Sequence, residues 1–328
     1  MSTQPVFRVI SIGDLVVDIV LSIPHLPVQA NQHQPAREVR LEPGGAGNFL
    51  IAGARLGMEM VALGVIGDDA GDSGATLGNA ILSILQQEGI QVQGVVRQPD
   101  TTSTTVVVLV DQDGQNVFLG GYGVGPEIDL PGKWVEEIYL RNTAQAVFAS
   151  GYTLAEKRDS RAGLELMALA REKNIPVFFD PGPEMVHATV EQIQAALANS
   201  EVLLLTEEEI PFMAAGEEGL SAARRLLEQG PRLVCVKRGP KGCTLLTAQE
   251  TIEYPGFIVP ARDPTGAGDS FAAAFIYAYL RKWELHSIAA FANAMGAAKV
   301  QKFGSGRQVP TAGEVRAILS ANHVAIDF

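Results

Sequence analysis

The sequence predicts an α/β protein with a central, mostly parallel sheet that carries helices on both faces. Two observations lead to this prediction. From residue 146 onward, short apolar segments of strand length alternate with segments of helical length. The first strand-like run, residues 7–12, is apolar and rich in β-branched residues, as strands buried on both faces are. Strands separated by helices favour parallel pairing.

The alternation extends over most of the chain. In its second half we expect strands at 146–149, 176–179, 201–205 and 232–237, and helices at 159–173, 188–198 and 218–229. In the first half we expect a helix at 48–56, a strand at 61–66 and a helix at 72–88 that ends at Gly89. Short apolar runs at 245–246 and 257–259 close the sheet, and two alanine-rich helices follow at 268–283 and 285–302.

One stretch departs from this alternation. Residues 105–110 and 117–119 are rich in β-forming residues and flank Asp113-Gly114, a dipeptide typical of a hairpin turn. The hairpin predicts a small sheet outside the main one. Because no repeat or linker divides the chain, we predict a single α/β domain over residues 1–328, with a β-lid contributed by about 14–45 and 97–125.

Charge and hydropathy limit the partners. The net charge of −12 and the pI near 4.9 disfavour binding to nucleic acid. Arg8, Asp14 and Asp18 interrupt the apolar run at 6–23, and no small-residue cleavage site follows it. We therefore expect a cytoplasmic protein without a membrane partner.

The most informative segment is residues 263–271, DPTGAGDSF, a glycine-rich turn that opens into a helix. Gly266 and Gly268 allow the backbone to approach a ligand, so that the amides of 266–268 can face an anion at the positive end of the helix dipole. Asp269 stands where a carboxylate could accept a proton from an attacking hydroxyl. The alternative is a structural turn with an acid that complements the helix dipole.

The sequence resembles the ribokinase (PfkB) family of carbohydrate and nucleoside kinases. The segment 263–271 is similar to the family's C-terminal signature, and residues 44–48, GGAGN, followed by 52–57, AGARLG, resemble its first signature. The segment 64–69, GVIGDD, follows where the family expects it. The resemblance implies a ribokinase-like fold, ATP and Mg²⁺ as cofactors, and a sugar hydroxyl as acceptor.

The resemblance also assigns residues. It makes Asp269 the general base and the amides of Gly266, Ala267 and Gly268 an anion hole. It implies that the acceptor's hydroxyls are held by Asp18, Gly44, Gly45 and Asn48. Without the resemblance, a plain turn and a solvated acid at the end of a strand are the alternatives for this second group.

On the nucleotide side, the resemblance implies contacts to ATP from Thr206, Lys237, Gly239, Gly242 and Asn293. Thr206 replaces the asparagine of the family's Asn-x-x-Glu motif, whose glutamate, here Glu209, organises magnesium and water. A solvated helix start, a β-turn and a helix-surface asparagine are the alternatives. The K⁺ site of some members is matched by Asp263 and Thr265 with backbone carbonyls near Lys299, Lys302 and Gly304, so K⁺ is a candidate activator.

We therefore predict an ATP-dependent sugar kinase, with a nucleoside kinase and a non-catalytic sugar-binding protein as alternatives. A dinucleotide-dependent oxidoreductase is disfavoured because no GxGxxG follows the first strand, and the P-loop pattern GxxxxGK[ST] is absent. Residues 149–151 lack the acid that ribokinase proper uses on ribose, and the first glycine loop is one residue tighter than usual. The sugar stays open, and pairing of lids, through 105–110, would give a homodimer.

Overall fold

The computed structural model of the protein describes residues 6–68, 76–120, 144–154 and 161–328. Its strands are, in chain order, β1 (Arg8–Ile12), β2 (Leu15–Ser22), β3 (Glu38–Gly45), β4 (Glu59–Gly67), β5 (Gln91–Gln98), β6 (Thr105–Val110), β7 (Asn116–Gly120), β8 (Ala146–Ser150), β9 (Val177–Asp180), β10 (Val202–Thr206), β11 (Leu233–Lys237), β12 (Cys243–Leu246) and β13 (Thr251–Tyr254). Its α-helices are α1 (Ala46–Arg55), α2 (Leu77–Gln87), α3 (Arg161–Glu172), α4 (Val190–Asn199), α5 (Ile210–Met213), α6 (Gly219–Arg225), α7 (Ala267–Leu280), α8 (Leu285–Lys299) and α9 (Ala312–Ala321).

The larger sheet has the strand order β13-β12-β11-β10-β9-β8-β1-β4-β5. All pairs from β5 to β11 are parallel, whereas β12 and β13 are added antiparallel. Successive side chains of a strand point to opposite faces, so Val9 and Phe148 enter one apolar core while Ile10 and Val147 enter the other. The predicted class, a mostly parallel sheet with helices on both faces, is confirmed.

Helix α7 runs through the centre of the first core. Its side chains are buried continuously from Ser270 to Ala278, and the alanines at 272–274 let it pack closely against α1 and α8. A helix that is apolar all round is stable only when neighbours surround it. This packing fixes the N-terminus of α7, at Ala267, beside a cavity, where Ala267 is half-buried and Gly268 is exposed.

The smaller sheet has the order β3-β2-β6-β7. The pair β2/β6 is parallel, and the pairs β2/β3 and β6/β7 are antiparallel. The predicted hairpin is confirmed: Gly114 has φ of +82°, and the Asp111 carboxylate accepts the amides of Asp113 and Gln115 across the turn. Of the anticipated lid range 97–125, residues 97–98 belong to β5 of the larger sheet, and residues 121–125 lie outside the described residues.

Several boundaries differ from the sequence prediction. The apolar run 257–259 forms no strand, and the edge strand of the larger sheet is Thr251–Tyr254. Strand β5 was not predicted, since its polar residues and Gly94 break the apolar pattern. Helix α8 ends at Lys299 instead of residue 302, and the next carbonyl, that of Val300, accepts the amides of Arg262 and Asp263.

Other expected segments are only partly covered. Residues 72–75 and 159–160, expected to begin two helices, and Asp69 lie outside the described residues. Within the described part, helix α2 begins after Thr76, whose hydroxyl accepts the amide of Asn79 as an N-cap. None of the helices in the described ranges combines the length and apolar character needed to span a bilayer.

Candidate active site

A cavity of about 530 Å³ lies between the smaller sheet and the N-terminus of α7. Its apolar wall is formed by Val16, Val106, Phe118, Phe148 and Tyr152. Polar groups are supplied by Asp14, Asp18, Asn48, Asn116, Thr265 and Asp269. The structure therefore brings segments from both ends of the chain to one cleft, as the two glycine-rich motifs had suggested.

The N-terminus of α7 begins with an uncapped turn. Gly266 is left-handed, with φ of +74°, and no side chain caps the helix. The amide of Ala267 donates to the Pro264 carbonyl at 3.0 Å. Within the described residues, the amides of Gly266 and Gly268 have no protein acceptor. The expected set of three amides is thus reduced to these two, because the tight turn uses the amide of Ala267 for itself.

Asp269 stands on the first turn of this helix and faces the cavity. Burial raises the pKa of its carboxyl to about 7, and the charge of Asp180 adds to the rise. Lys237, a hydrogen bond from Asn48, and Lys299 oppose it. A carboxyl with a pKa near neutrality is suited to accept a proton at physiological pH.

The opposite side of the cavity carries Asp18 on β2. Its carboxyl is buried against Gly44, where an added Cβ would overlap the carboxylate oxygens. Burial raises the pKa of Asp18 to about 6, and repulsion by the charge of Glu42 adds to the rise. Gly45 has φ of +53°, and a Cβ there would meet the Asp14 carbonyl at 2.5 Å. Both glycines are therefore required by close approach.

Asn48, on the first turn of α1, connects the two sides. Its Oδ1 accepts the amide of Gly306 at 2.7 Å, and its side chain lies near enough to Asp269 to lower the pKa of that carboxyl. A Cβ on Gly266 would lie 3.2 Å from Asn48 Cγ, so the glycine loop of α7 rests directly on this amide. Asn48 therefore adjoins both the glycine loop and the carboxyl of Asp269.

Next to this cavity, the carboxyl ends of three neighbouring strands gather charged groups. Lys237 Nζ donates to Asp180 Oδ2 at 2.5 Å, and Glu209 Oε2 accepts the amide of Thr206 at 2.8 Å. Lys237 Nζ also lies 3.8 Å from the position that a Cβ on Gly268 would take. The ammonium of Lys237, with its partner Asp180, therefore adjoins the N-terminus of α7.

Attraction to Asp180 and Glu209 outweighs burial and raises the pKa of Lys237, which keeps this ammonium charged. The pKa of Glu209 is raised by burial, against the attraction of Lys237.

Among the described residues, no group of three or more His, Cys, Asp or Glu side chains is arranged to hold a metal ion.

The remaining residues expected to contact ATP lie away from the cavity lining. Gly239 and Gly242, between β11 and β12, have φ of +53° and +95°, and space beside Gly239 is open. Asn293 is buried, and its Nδ2 donates to the Ala289 carbonyl at 2.8 Å and to Cys243 Sγ at 3.2 Å. Asn293 is therefore part of the α8/β12 contact instead of a helix-surface residue.

The group expected to bind K⁺ is already internally bonded. Asp263 Oδ1 accepts the amide and hydroxyl of Thr265 at 2.9 and 2.7 Å and Asn116 Nδ2 at 3.2 Å, while Oδ2 accepts the amide of Gly304 at 2.6 Å. Three of these four donors share Oδ1, which has two lone pairs, and one donor uses Oδ2. The Lys302 carbonyl accepts Lys299 Nζ at 3.3 Å. The residues present therefore do not fit a K⁺ ion.

Sequence reasoning missed several residues of the site. Asp180 follows the strand predicted at 176–179 and could have been found as an acid at the end of a parallel strand. Asp14 was noted only as a charge that interrupts an apolar run. Asn116 and Ser305 carry no motif, and only the tertiary structure brings them to the site.

Comparison with known proteins agrees with this geometry. The pfkB family of carbohydrate kinases matches residues 7–312. An ATP-dependent ribose-1-phosphate kinase of Halopiger xanaduensis is 31% identical over 319 residues, covering 95% of this chain and 98% of that protein. A nucleoside kinase of Methanothermobacter thermautotrophicus is 24% identical and covers 93% of each chain.

Among solved structures, a ribokinase-like protein of E. coli in complex with ATP and Mg²⁺ superposes with a TM-score of 0.81 at 21% identity, covering 96% of this chain and 100% of that one. The fold and the cleft define a kinase of small molecules. The chain belongs to the pfkB family of carbohydrate kinases. The predicted ribokinase-like fold and the predicted enzyme class, an ATP-dependent sugar kinase, are thereby confirmed.

The contact between Gly44 and Asp18 generates a first prediction. Gly44→Ala will push the Asp18 carboxylate out of place and lower kcat/KM for the acceptor by about 10- to 100-fold, since small displacements of positioning groups have effects of this size. The KM for ATP will stay unchanged. Steady-state kinetics measure both constants.

Gly313→Ala is the matched control, because a Cβ there meets only the Thr311 hydroxyl at 3.9 Å. Wild-type acceptor kinetics in Gly44→Ala would show that the position of Asp18 is unimportant for the acceptor.

Proposed function

We propose that the protein transfers the terminal phosphate of ATP to a hydroxyl of a sugar or sugar-derived molecule bound in the cavity between Asp18 and Asp269. One observation carries this proposal: the carboxylate of Asp269 and the unpaired amides of Gly266 and Gly268 share one turn at the edge of the cavity. A hydroxyl bound there would have a proton acceptor beside it and an anion site next to that acceptor.

Asp269 is assigned the role of general base. Phosphoryl transfer passes through a loose transition state, so the enzyme acts mainly by alignment and by stabilising charge. The Asn48 amide adjoins the carboxylate, and the amides of Gly266 and Gly268, with Ala267 completing the turn, stabilise negative charge at the start of α7. Lys237, beside Gly268, adds a positive charge at the same place.

Asp18 is assigned to the acceptor, with the backbone of Gly44 and Gly45 and the amide of Asn48. A buried carboxylate that faces a cavity can accept hydrogen bonds from two neighbouring hydroxyls, which is the pattern that sugars present. Since Asp18 lies on the smaller sheet and Asp269 on the helix core, the acceptor would contact both parts. We propose that the smaller sheet is a lid of one domain, as the sequence predicts, and that it excludes water during transfer.

The nucleotide is assigned to the strand ends next to α7. Thr206, Lys237, Gly239, Gly242 and Asn293 would form this side. Gly239, with open space beside a left-handed backbone, allows a ligand to approach the main chain. Magnesium, which enters with the triphosphate, would neutralise charge on the phosphates, and Glu209 would help to organise the magnesium and its water.

A nucleoside is the second candidate acceptor. Phe118, Phe148 and Tyr152 in the cavity wall offer aromatic surface on which a base can stack, and a nucleoside kinase is among the relatives. The relative that acts on ribose 1-phosphate adds a phosphorylated sugar to the acceptors to be compared. A non-catalytic sugar-binding role is disfavoured because base and anion turn are both intact.

Two further parts of the proposal concern the whole protein. We propose a homodimer that forms through the lids. Residues 105–110 form β6, an inner strand, so the pairing edges are β3 and β7, and β7 exposes Phe118 and Leu119. A monomer in sedimentation equilibrium would contradict this. We also propose a cytoplasmic location, which recovery of the protein only in the membrane fraction of cells would contradict.

The pKa of Asp269 generates a prediction on pH dependence. Because the base acts when deprotonated, kcat/KM should rise with pH up to about 7 and then level off. Asp269→Asn should abolish this limb and lower turnover by about two to four orders of magnitude without unfolding the protein. ADP release in the presence of Mg-ATP and a sugar measures both effects.

Exposed Asp113→Asn serves as the control for the loss of one carboxylate. A rate that keeps the same pH limb in Asp269→Asn would remove Asp269 from the base role.

A second experiment identifies the acceptor. ADP release should be compared for fructose, ribose, ketodeoxygluconate, ribose 1-phosphate and adenosine. With the best acceptor, Asp18→Asn should lower kcat/KM at least about tenfold, because a buried site built for hydroxyls loses an acceptor, while the KM for ATP is retained. Adenosine as the best acceptor would replace the sugar proposal by the nucleoside one, and no ADP release with any compound would contradict both.

A further inference from the structure

The cation site predicted from the family resemblance is built around a buried acid. Asp263 is completely buried between the turn before α7 and the loop after α8. Its hydrogen-bond donors are the Thr265 amide and hydroxyl, the Asn116 amide and the Gly304 amide, which are all neutral. A buried carboxylate bonded only to neutral groups leaves its charge to be balanced by a cation nearby.

A potassium ion is poorly suited to this position. Three donors share Oδ1 of Asp263 and the Gly304 amide bonds to Oδ2, so a metal ion at Oδ1 would have to displace a donor. Two of the carbonyls expected as ligands are also in use, since the Lys299 carbonyl accepts the Lys302 amide at 3.0 Å and the Lys302 carbonyl accepts Lys299 Nζ at 3.3 Å.

The side chain of Lys299 supplies a positive charge at this place. Lys299 is the last residue of α8, and its side chain is completely buried. Complete burial is rare for a lysine and requires a partner that compensates its charge. Lys299 Nζ donates to the Lys302 carbonyl at 3.3 Å, one of the carbonyls expected to bind K⁺. Burial lowers the pKa of Lys299 to about 8, which leaves the group mostly charged at neutral pH, and the charges of Asp263 and Asp269 partly offset this effect of burial. An ammonium group carries the same charge as a potassium ion and is similar in size, and it binds carbonyl oxygens by hydrogen bonds instead of coordination.

We propose that the Lys299 ammonium is a built-in monovalent cation, which takes the place of K⁺ behind the anion turn of α7. The proposal rests on the proposed kinase function. Lys299 is a positioning residue: it balances Asp263, and Asp263 fixes Thr265 and thereby the turn that carries Gly266 and Gly268. The protein therefore has no requirement for potassium, whereas a variant without this ammonium acquires one.

The wild-type protein provides the first test. Kinase activity and the thermal unfolding midpoint are compared in about 0.1 M K⁺, NH₄⁺ or tetramethylammonium chloride, so that ionic strength stays constant. We expect the same activity and the same midpoint in the three salts. A K⁺-specific rise of the midpoint by more than about 2 °C would overturn the proposal, because a bound ion stabilises the folded state.

The variants provide the second test. Lys299→Ala opens a space at the site, and we expect its activity in tetramethylammonium to fall at least about tenfold, the loss typical when charge stabilisation is removed. K⁺ or NH₄⁺ should restore most of this activity and raise the unfolding midpoint. The neutral Lys299→Met fills the space and should be impaired in all salts. Gln301→Ala, whose side chain bonds only to the Ala297 carbonyl of its own helix, is the control.

The two tests distinguish failure of the proposed kinase function from failure of the proposal on Lys299. The unfolding midpoints report cation binding even if no acceptor supports kinase activity, so failure of the proposed function leaves them interpretable. A folded Lys299→Ala that neither K⁺ nor NH₄⁺ stabilises, or a Lys299→Met with wild-type activity in tetramethylammonium, would contradict the proposal. If neither variant folds, the wild-type comparison alone decides.

Discussion

The start of helix α7 constrains the rest of the structure, because it places at the edge of the cavity a carboxylate and two amides that have no acceptor among the described residues. An uncapped helix N-terminus is normally satisfied by a side chain or by water. Here the capping position is the left-handed Gly266, and Asp263, three residues earlier, holds the turn in place through the amide and hydroxyl of Thr265. The apolar packing of α7 fixes the axis, and Asp263 fixes the turn that precedes it.

The same acid joins distant parts of the chain. Through the amides of Asn116 and Gly304, Asp263 connects the turn to the hairpin of the smaller sheet and to the loop after α8. That loop continues to the acceptor side, where the Gly306 amide donates to Asn48 and Arg307 binds the buried carboxylate of Glu42. The loop after α8 therefore contacts both the turn before α7, through Gly304, and Asn48, through Gly306.

Three charged residues beside the start of α7 come from three neighbouring strands of the larger sheet. Asp180, Glu209 and Lys237 lie at the carboxyl ends of neighbouring strands, where side chains of parallel strands converge. The charge of Asp180 raises the pKa of Asp269, whereas Lys237 and Lys299 lower it. The pKa of Asp269 thus depends on groups from both sides of α7. It lies near neutrality because burial raises it and these cations only partly offset the rise.

The sequence by itself determined the sheet class, since β-branched runs that alternate with helices favour parallel strands even when the exact element boundaries are not known. It also determined the motifs at 44–48 and 263–271, because close approach to Asp18 and Asn48 permits only glycine at Gly44 and favours it at Gly266. The edge strand at Thr251–Tyr254 and the polar strand β5 escaped prediction, because pairing with neighbours and not local pattern makes them strands. Only the tertiary structure decided that the Ala267 amide is used within its own turn, that Asn293 is buried, and that the side chain of Lys299 enters a site for which the motif implied only its backbone. These outcomes depend on the positions of the ends of long side chains and on which donors reach a buried carboxylate. The spacing of residues in the sequence determines neither.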